Sequence, residues 1–280
     1  MNPIAVVGIS NLFPGSKNPQ EFWDNLIEKK DTRSRLTSDD VGIELEHYIG
    51  KQSDVDKLYC EFGGYIRNFV FDPTQYQLNA DKLQSLDELY QWTLYTAREA
   101  LIDANVLDNS ELLKRCGVIL ANLSFPTRTS NALVLPMYAS AIESSLEKLA
   151  FPNGISLPIK ALHSDKDNHA DNMLIAGYPA ALVSKALGLG GVNFSLDAAC
   201  ASSCYSVKLA CDYLNTGKAD IMLSGAVSAS DPLFISMGFS IFHAYPDDER
   251  SAPLDANSKG LFAGEGAAFF VLKRYEDAVR

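Results

Sequence analysis

Residues 192–217 read VNFSLDAACASSCYSVKLACDYLNTG, a pattern typical of a strand, a tight turn and a helix. The strand, Val192 to Leu196, is short and β-prone and follows two glycines, so we expect it to be buried. Apolar residues then recur every three or four positions as far as Gly217, a residue suited to the left-handed position after a helix. This apolar face predicts a core helix, and it consists of Cys204, Val207, Cys211 and Leu214.

Cys200 falls where the predicted strand passes into the predicted helix. The unpaired amides and the positive dipole end of a helix favour a thiolate there, and the same amides stabilise the oxyanion of a bound thioester. Small residues on both sides leave room for a substrate. Cys200 is therefore the candidate nucleophile, and the alternative is one more buried, inert cysteine. No second ligand pair accompanies Cys200 and Cys204, so we expect no metal there.

Asp197 to Ser203, DAACASS, resembles the active-site motif of the β-ketoacyl synthases, the condensing enzymes of fatty acid and polyketide synthesis. More narrowly, residues 195–247 are similar to the ketosynthase of bacterial polyunsaturated fatty acid synthases, in the subunit that also carries a chain-length factor. Further motifs keep the family's order: IAVVG at 4–8, DIMLSGA at 220–226, PLD at 253–255 and GEGA at 264–267.

The resemblance implies a decarboxylative condensation. Cys200 would take an acyl group from the phosphopantetheine arm of an acyl carrier protein, and the acyl-enzyme would condense with the carbanion left when malonyl-carrier protein loses carbon dioxide. This is covalent catalysis without a bound cofactor. The family's two catalytic histidines, supporting lysine and Gly-Phe-Gly loop come after the strand matching Ala267 to Leu272 and are absent from residues 1–280. We therefore expect this chain alone to be inactive in condensation.

The resemblance also implies an α/β, thiolase-like αβαβα fold, with residues 1–280 as its N-terminal half and the C-terminal half largely missing. Its core would comprise about 1–30, 85–123 and 172–280, with insertions at about 31–84 and 124–171. Strands that alternate with helices predict a mostly parallel sheet covered on both faces. The family is dimeric, which implies a homodimer or a chain-length-factor partner, with residues 192–196 paired across the interface.

The composition is that of a globular chain, with 47% hydrophobic residues and a formal net charge of −11. Because no apolar run approaches the roughly 20 residues of a membrane span and no signal pattern begins the chain, we expect a cytoplasmic protein without a membrane partner. Five cysteines then favour reduced thiols. The negative net charge disfavours non-specific binding to nucleic acid. An acidic carrier protein would need a basic patch, and the densest one, better interpreted as a solvated helix end, is Lys29, Lys30, Arg33 and Arg35.

Local patterns predict the remaining elements. Asn18, Pro19 and Glu21 signal a helix start, and Ser85 with Glu88 predicts a capping box for a helix that runs to about Ala104. The first of these helices would turn Phe22, Trp23, Leu26 and Ile27 inward. We further expect helices at 136–149 and 179–187, a nascent helix from 275, and strands at 4–7, 116–123, 219–227 and 267–272.

Three alternatives remain at this level. His163 and His169 flank Asp165 and Asp167, but a solvated loop explains that hydrophilic segment better than a metal site does. A non-condensing partner of the chain-length-factor type is disfavoured because such partners typically lack the cysteine found here as Cys200. Another thiolase-fold acyltransferase, such as a biosynthetic thiolase or a chain-initiating synthase, fits the cysteine but is less consistent with its Cys-Ala-Ser-Ser surroundings.

Overall fold

The computed structural model describes residues 2–148 and 169–280. The strands are β1 (Ile4–Leu12), β2 (Ser34–Arg35), β3 (Phe62–Gly63), β4 (Cys116–Asn122), β5 (Asn193–Leu196), β6 (Ile221–Ser228) and β7 (Gly266–Arg274). The helices are α1 (Pro19–Ile27), α2 (Ser38–Val41), α3 (Ala80–Gln84), α4 (Glu88–Asp103), α5 (Ser110–Leu113), α6 (Arg128–Lys148), α7 (Tyr178–Leu187), α8 (Ser202–Asn215), α9 (Pro232–Ile241) and α10 (Tyr275–Ala278).

Five strands form one mixed sheet in the order β1-β7-β6-β4-β5. β4 runs parallel to β5 and β6, whereas β7 runs antiparallel to both β6 and β1. The expectation of a mostly parallel sheet is therefore wrong for the strand pairs, of which two are parallel and two antiparallel. The reason lies in the connection after β6, which leaves β6 and enters β7 at the same end of the two strands, since Ser228 pairs with Gly266.

Helices cover the two faces of this sheet unequally. α4 and α7 lie on one face, over a large core that includes Val118 and Leu120. α8 lies on the other face, over a smaller cluster around Ile119 and Met222. Beyond α8 the second face is open among the described residues, and Val6 and Phe270 are 55% and 43% exposed. Coverage of both faces is thus confirmed only in part.

β5 is an edge strand of the described sheet and not the buried strand we predicted. It begins at Asn193 and pairs only with β4 among the described strands. Its residues are half-buried or exposed. The short apolar run indicated a strand correctly but carried no information on how many neighbours that strand would have.

α1 begins as predicted, because the Asn18 side chain accepts a hydrogen bond from the Glu21 amide at 2.9 Å. Its predicted inward face is wrong. No residue of α1 is buried, and Trp23 and Ile27 are 58% and 64% exposed. The apolar spacing identifies one face of a helix, and Phe22 packs against Phe13 with ring centroids 5.1 Å apart, but most of that face is exposed in the described structure.

Two other helix starts differ from prediction. α4 is capped by Asp87, whose carboxylate accepts from the Leu89 amide at 2.9 Å, while Ser85 ends the preceding helix. α6 starts at Arg128 and contains Pro136 instead of beginning there. Thr127 and Ser130 explain the earlier start, since each side chain accepts a hydrogen bond from the other's amide. The predicted end of that helix at 149 lies outside the described residues.

The other predicted elements are confirmed to within two residues, except that β1 continues beyond residue 7 to Leu12. α7 ends at Gly188, which has a left-handed φ of 69°, and Gly217 has the same φ after α8. Residues 31–84, the first of the predicted insertions, carry only short elements. Of the helices in the described part of the chain, none combines the length and hydropathy needed to cross a bilayer.

Candidate active site

Cys200 lies in a one-turn 3₁₀ helix, Ala199–Ala201, that joins β5 to α8. It is exposed, which excludes the alternative of a buried cysteine. The preceding residue, Ala199, has a φ of 50°, a left-handed conformation that costs a residue with a side chain roughly 1–2 kcal/mol. The turn between strand and helix is therefore tight, as predicted, and it is also strained.

Two side chains hold this turn. The Asp197 carboxylate accepts hydrogen bonds from the Ala199 amide at 2.9 Å and from the Ser124 amide, beyond the end of β4, at 3.0 Å. The Ser124 bond and then the Ala199 bond lower the pKa of Asp197. The buried Ser202 hydroxyl accepts from the Ala198 amide at 2.8 Å and donates to the Ala199 carbonyl at 2.6 Å.

Small side chains allow α8 to pack closely against the sheet. Its fully buried residues are Ser202, Ser206, Ala210 and Leu214. The predicted face is right for Leu214 and in part for Val207 and Cys211, which are half-buried and pack against the cluster around Ile119. Cys204 is exposed instead of lying in the core, and Cys211 is half-buried, with a pKa raised by that burial. The Ser206 hydroxyl donates to the Ile119 carbonyl and lies 2.8 Å from the Ser224 hydroxyl. Serine counts as polar in a sequence pattern, which is why the pattern does not reveal this face.

α8 directs the positive end of its dipole at Cys200, since the cysteine comes two residues before a helix of 14 residues. At the other end, the Arg274 guanidinium donates to the carbonyls of Leu214 and Ala219, at 3.0 and 2.9 Å. The helix that follows the cysteine thus has both ends fixed. Such a turn can present a thiolate to a thioester and hold the resulting oxyanion near backbone amides.

A cavity of about 1430 Å³ lies beyond the loop that follows β4. Its walls come from α6, α9 and residues 37–43 and 66–69, and Cys200 is not among its lining residues. Phe125 connects the two places: it comes directly after Ser124, and its ring lies 5.4 Å from that of Phe234 on the cavity wall.

Glu265, in the GEGA motif, also borders this cavity. Its carboxylate accepts a hydrogen bond from the Ile66 amide at 2.6 Å, and its own amide donates to the Gly64 carbonyl at 2.8 Å. Burial raises the pKa of Glu265 to about 8 against the opposing effect of the Ile66 hydrogen bond. Apart from the place of Glu265 in the motif, no sequence pattern signals this perturbed carboxyl group.

The basic cluster is partly neutralised. Arg33 forms an ion pair with Asp31 at 2.7 Å, and Arg35 pairs with Glu61 at 3.0 Å and with Glu249 at 3.5 Å. Of the four cations, Lys29 and Lys30 alone have no acidic partner in the described structure. This supports the solvated helix end over a docking patch.

Of the residues in the metal alternative, only His169 is described. It caps a short 3₁₀ helix, with its ring nitrogen accepting from the Asp171 amide at 3.1 Å. His163, Asp165 and Asp167 lie outside the described residues. Within 2–148 and 169–280, no three His, Cys, Asp or Glu side chains are grouped to hold a metal ion.

The model of the β-ketoacyl synthase N-terminal domain matches residues 1–278. The chain belongs to the β-ketoacyl synthase family. This confirms the resemblance drawn from the motifs. One subunit of the polyunsaturated fatty acid synthase of Thraustochytrium sp. is 34% identical over 99% of this chain.

Solved ketosynthases share the fold. The PfaC keto synthase-chain length factor is 54% identical, with a TM-score of 0.91 over the whole chain. The module 6 ketosynthase of the Bacillus subtilis bacillaene synthase is 25% identical, with a TM-score of 0.70 over 99% of the chain. The predicted α/β, thiolase-like fold is thereby confirmed.

This ketosynthase chain is short beside its relatives. It spans 13% of the length of the Thraustochytrium subunit, and 30% and 40% of the two solved chains. The division into core and insertions at about 31–84 and 124–171 stays a prediction, as does the catalytic role of Cys200.

Proposed function

We propose that this chain forms the N-terminal portion of a ketosynthase domain that performs decarboxylative Claisen condensation in polyunsaturated fatty acid or polyketide-type synthesis, with Cys200 as nucleophile. The observation that carries the proposal is the exposed Cys200 on a strained turn at the N-terminus of α8. Nucleophile elbows in other enzymes present a side chain in the same way.

In the first step the Cys200 thiolate attacks the carbonyl carbon of an acyl group on acyl carrier protein. A tetrahedral oxyanion forms and collapses, and the phosphopantetheine sulfur leaves as a thiolate that takes up the proton Cys200 lost on ionising. In the second step malonyl-carrier protein loses carbon dioxide, and the resulting carbanion attacks the acyl-cysteine. The new carbon–carbon bond gives a β-ketoacyl-carrier protein and frees the Cys200 thiolate.

The partners of this reaction are part of the proposal. They are an acyl carrier protein and, for assembly, a second ketosynthase or a chain-length factor; the likeness to the PfaC keto synthase-chain length factor supports the latter. No bound cofactor is required, because the phosphopantetheine arm belongs to the carrier protein. A cytoplasmic location fits the proposal. We expect the 280-residue chain alone to be incompetent in condensation, because the family's catalytic histidines are not among its residues.

The test is acyl transfer followed by condensation, in the polypeptide that carries this chain. Incubation with acyl-carrier protein should add one acyl group to the peptide that contains Cys200, as measured by mass spectrometry. Cys200→Ala should abolish both the adduct and the β-keto product, whereas the matched control Cys204→Ser should retain them. Unchanged turnover of Cys200→Ala would refute the proposal. If acetyl-CoA acylates Cys200 in preference to a carrier protein that bears a longer acyl chain, the result would favour a thiolase or a chain-initiating synthase.

A further inference from the structure

Asp197 links two segments that are far apart in sequence. Its carboxylate accepts one backbone hydrogen bond from Ala199, in the cysteine turn, and one from Ser124, after β4. β4 and β5 are parallel neighbours, so the loop after β4 and the cysteine turn after β5 both begin at the carboxyl ends of the strands. The Asp197 side chain therefore continues the link between β4 and β5 beyond their last paired residues, Ala121 and Leu196, and ties the turn to the loop after β4.

Only a carboxylate fits both contacts. Each of its oxygens accepts from a different amide, whereas the asparagine side chain offers one accepting oxygen and one donating NH₂ group. In Asp197→Asn, one of the two backbone amides would face another donor. A serine side chain can retain the short-range bond to Ala199 but is too short to bridge to Ser124.

The strained residue lies between Asp197 and Cys200. Ala199 keeps a φ of 50° although it is exposed, so neither a glycine nor burial of its side chain accounts for that conformation. Two hydrogen bonds hold the left-handed form: the Ala199 amide donates to Asp197, and the Ala199 carbonyl accepts from Ser202. Relaxation of Ala199 to a negative φ would rotate the peptide that carries the cysteine.

We infer that Asp197 is a positioning residue that orients Cys200 for attack on a thioester by locking the strained turn to the loop after β4. The inference rests on the proposed function of Cys200. Because Phe125 follows Ser124 and packs against Phe234, the same bond also sets the cavity wall relative to the cysteine.

Two reagents separate positioning from simple thiol reactivity. Acylation by an acyl-pantetheine thioester needs an aligned thiolate and an oxyanion site, whereas alkylation by iodoacetamide needs only an accessible thiolate. Both rates would be measured at Cys200 by mass spectrometry in a Cys204→Ser background. Asp197→Asn should slow acylation by about tenfold or more and change alkylation by less than about threefold, because small misplacements of a nucleophile cost rate steeply.

Asp212→Asn is the matched control, since it makes the same change on the outer face of α8, where Asp212 pairs with Lys208. Its ratio of acylation to alkylation should equal that of the parent. Asp197→Ser should lie between the parent and Asp197→Asn, and it provides the measurement if the asparagine variant fails to fold.

The outcomes are distinct. Equal acylation rates in the parent and in a folded Asp197 variant would overturn the inference and leave the proposed function intact. An equal fall in acylation and alkylation would also overturn it, because that result indicates a general structural role. A parent protein that is alkylated at Cys200 but never acylated would instead refute the proposed function.

Discussion

Ala199 adopts a left-handed φ although it carries a side chain, whereas its neighbour Ala198 has a negative φ of −133°. Both side chains are exposed, so substitutions at the two positions differ in backbone strain and not in packing. A β-branched residue is less disfavoured at the φ of −133° and ψ of 35° of Ala198 than at the left-handed φ of Ala199. The two alanines thus form a matched pair.

We expect Ala199→Val to lower the free energy of unfolding by about 1–3 kcal/mol, the cost of a strained backbone conformation. Ala198→Val should change it by less than about 0.5 kcal/mol, as surface substitutions usually do. Urea unfolding followed by circular dichroism measures both. Equal stabilities for the two variants would show that the left-handed turn is not strained.

At the scale of the helix, Arg274 and Arg115 both pair with Asp220, but their surroundings differ. The Arg274 side chain is 17% exposed and donates to the carbonyls of Leu214 and Ala219, whereas the Arg115 side chain is 54% exposed and donates to the carbonyl of Gly217 at 3.2 Å. Hydrogen bonds from Arg115 and then Arg274 lower the pKa of Asp220. Solvent screens the ion pair of the more exposed Arg115, so we expect the more buried Arg274 to contribute more to stability.

Arg274→Ala should lower the free energy of unfolding by about 1.5–3 kcal/mol, the range for hydrogen bonds to charged groups, because it removes the charged donor from the carbonyls of Leu214 and Ala219, of which Leu214 keeps the Gly217 amide. Arg115→Ala should cost less than Arg274→Ala, because solvent screens the Arg115 ion pair. Chemical denaturation of the two variants in parallel checks the ranking. A larger loss for Arg115→Ala would place the main contribution in the surface ion pair.

The elements themselves were largely predictable, because local signals determine them. Gly188 and Gly217 end their helices as expected, and the Asn18 cap begins α1. Which face an element buries was harder to predict. The periodicity of Trp23 and Ile27 defines an apolar face correctly but carries no information about what covers it, and Ser206 is buried because a hydroxyl can bond a sheet carbonyl.

The candidate site was predictable at Cys200 and not around it. The strand-to-helix change of period places the cysteine at a turn, which the structure shows. The link from Asp197 to Ser124 joins residues 73 positions apart, and no local pattern reports a contact of that kind. The raised pKa of Glu265 likewise depends on a tertiary contact with the segment at residues 64–66.

At the scale of the whole molecule, Glu265 joins the excursion at residues 31–84 to the central sheet, and its titration should affect overall stability. In the unfolded chain a glutamate has a pKa near 4.5, whereas in the folded protein the pKa of Glu265 is about 8. Burial is the largest cause, Glu88 and Asp40 raise the pKa further, and Arg67 lowers it. The folded chain therefore binds this proton more tightly than the unfolded chain does.

The Glu265 contribution to stability is thus fully present below pH 4.5, falls as the pH rises to about 8, and is constant above that value. Glu265→Gln keeps an acceptor for the Ile66 amide and has no proton to lose. We expect the difference in urea midpoint between this variant and the parent to shift in favour of the variant from about pH 5 to about pH 9. Parallel pH curves for the two proteins would contradict a buried, protonated carboxyl group.

The pairing of β1 with β7 has a consequence for biosynthesis. Ile4 lies opposite Arg274, and β1 has no other neighbour in the described sheet. A ribosome adds about 5–20 residues per second, and paired positions of β1 and β7 lie roughly 255–270 residues apart, so β1 is translated roughly 13–54 s before its partner. The backbone groups of β1 therefore stay without their β7 partners, and open to chaperones, until β7 has been made.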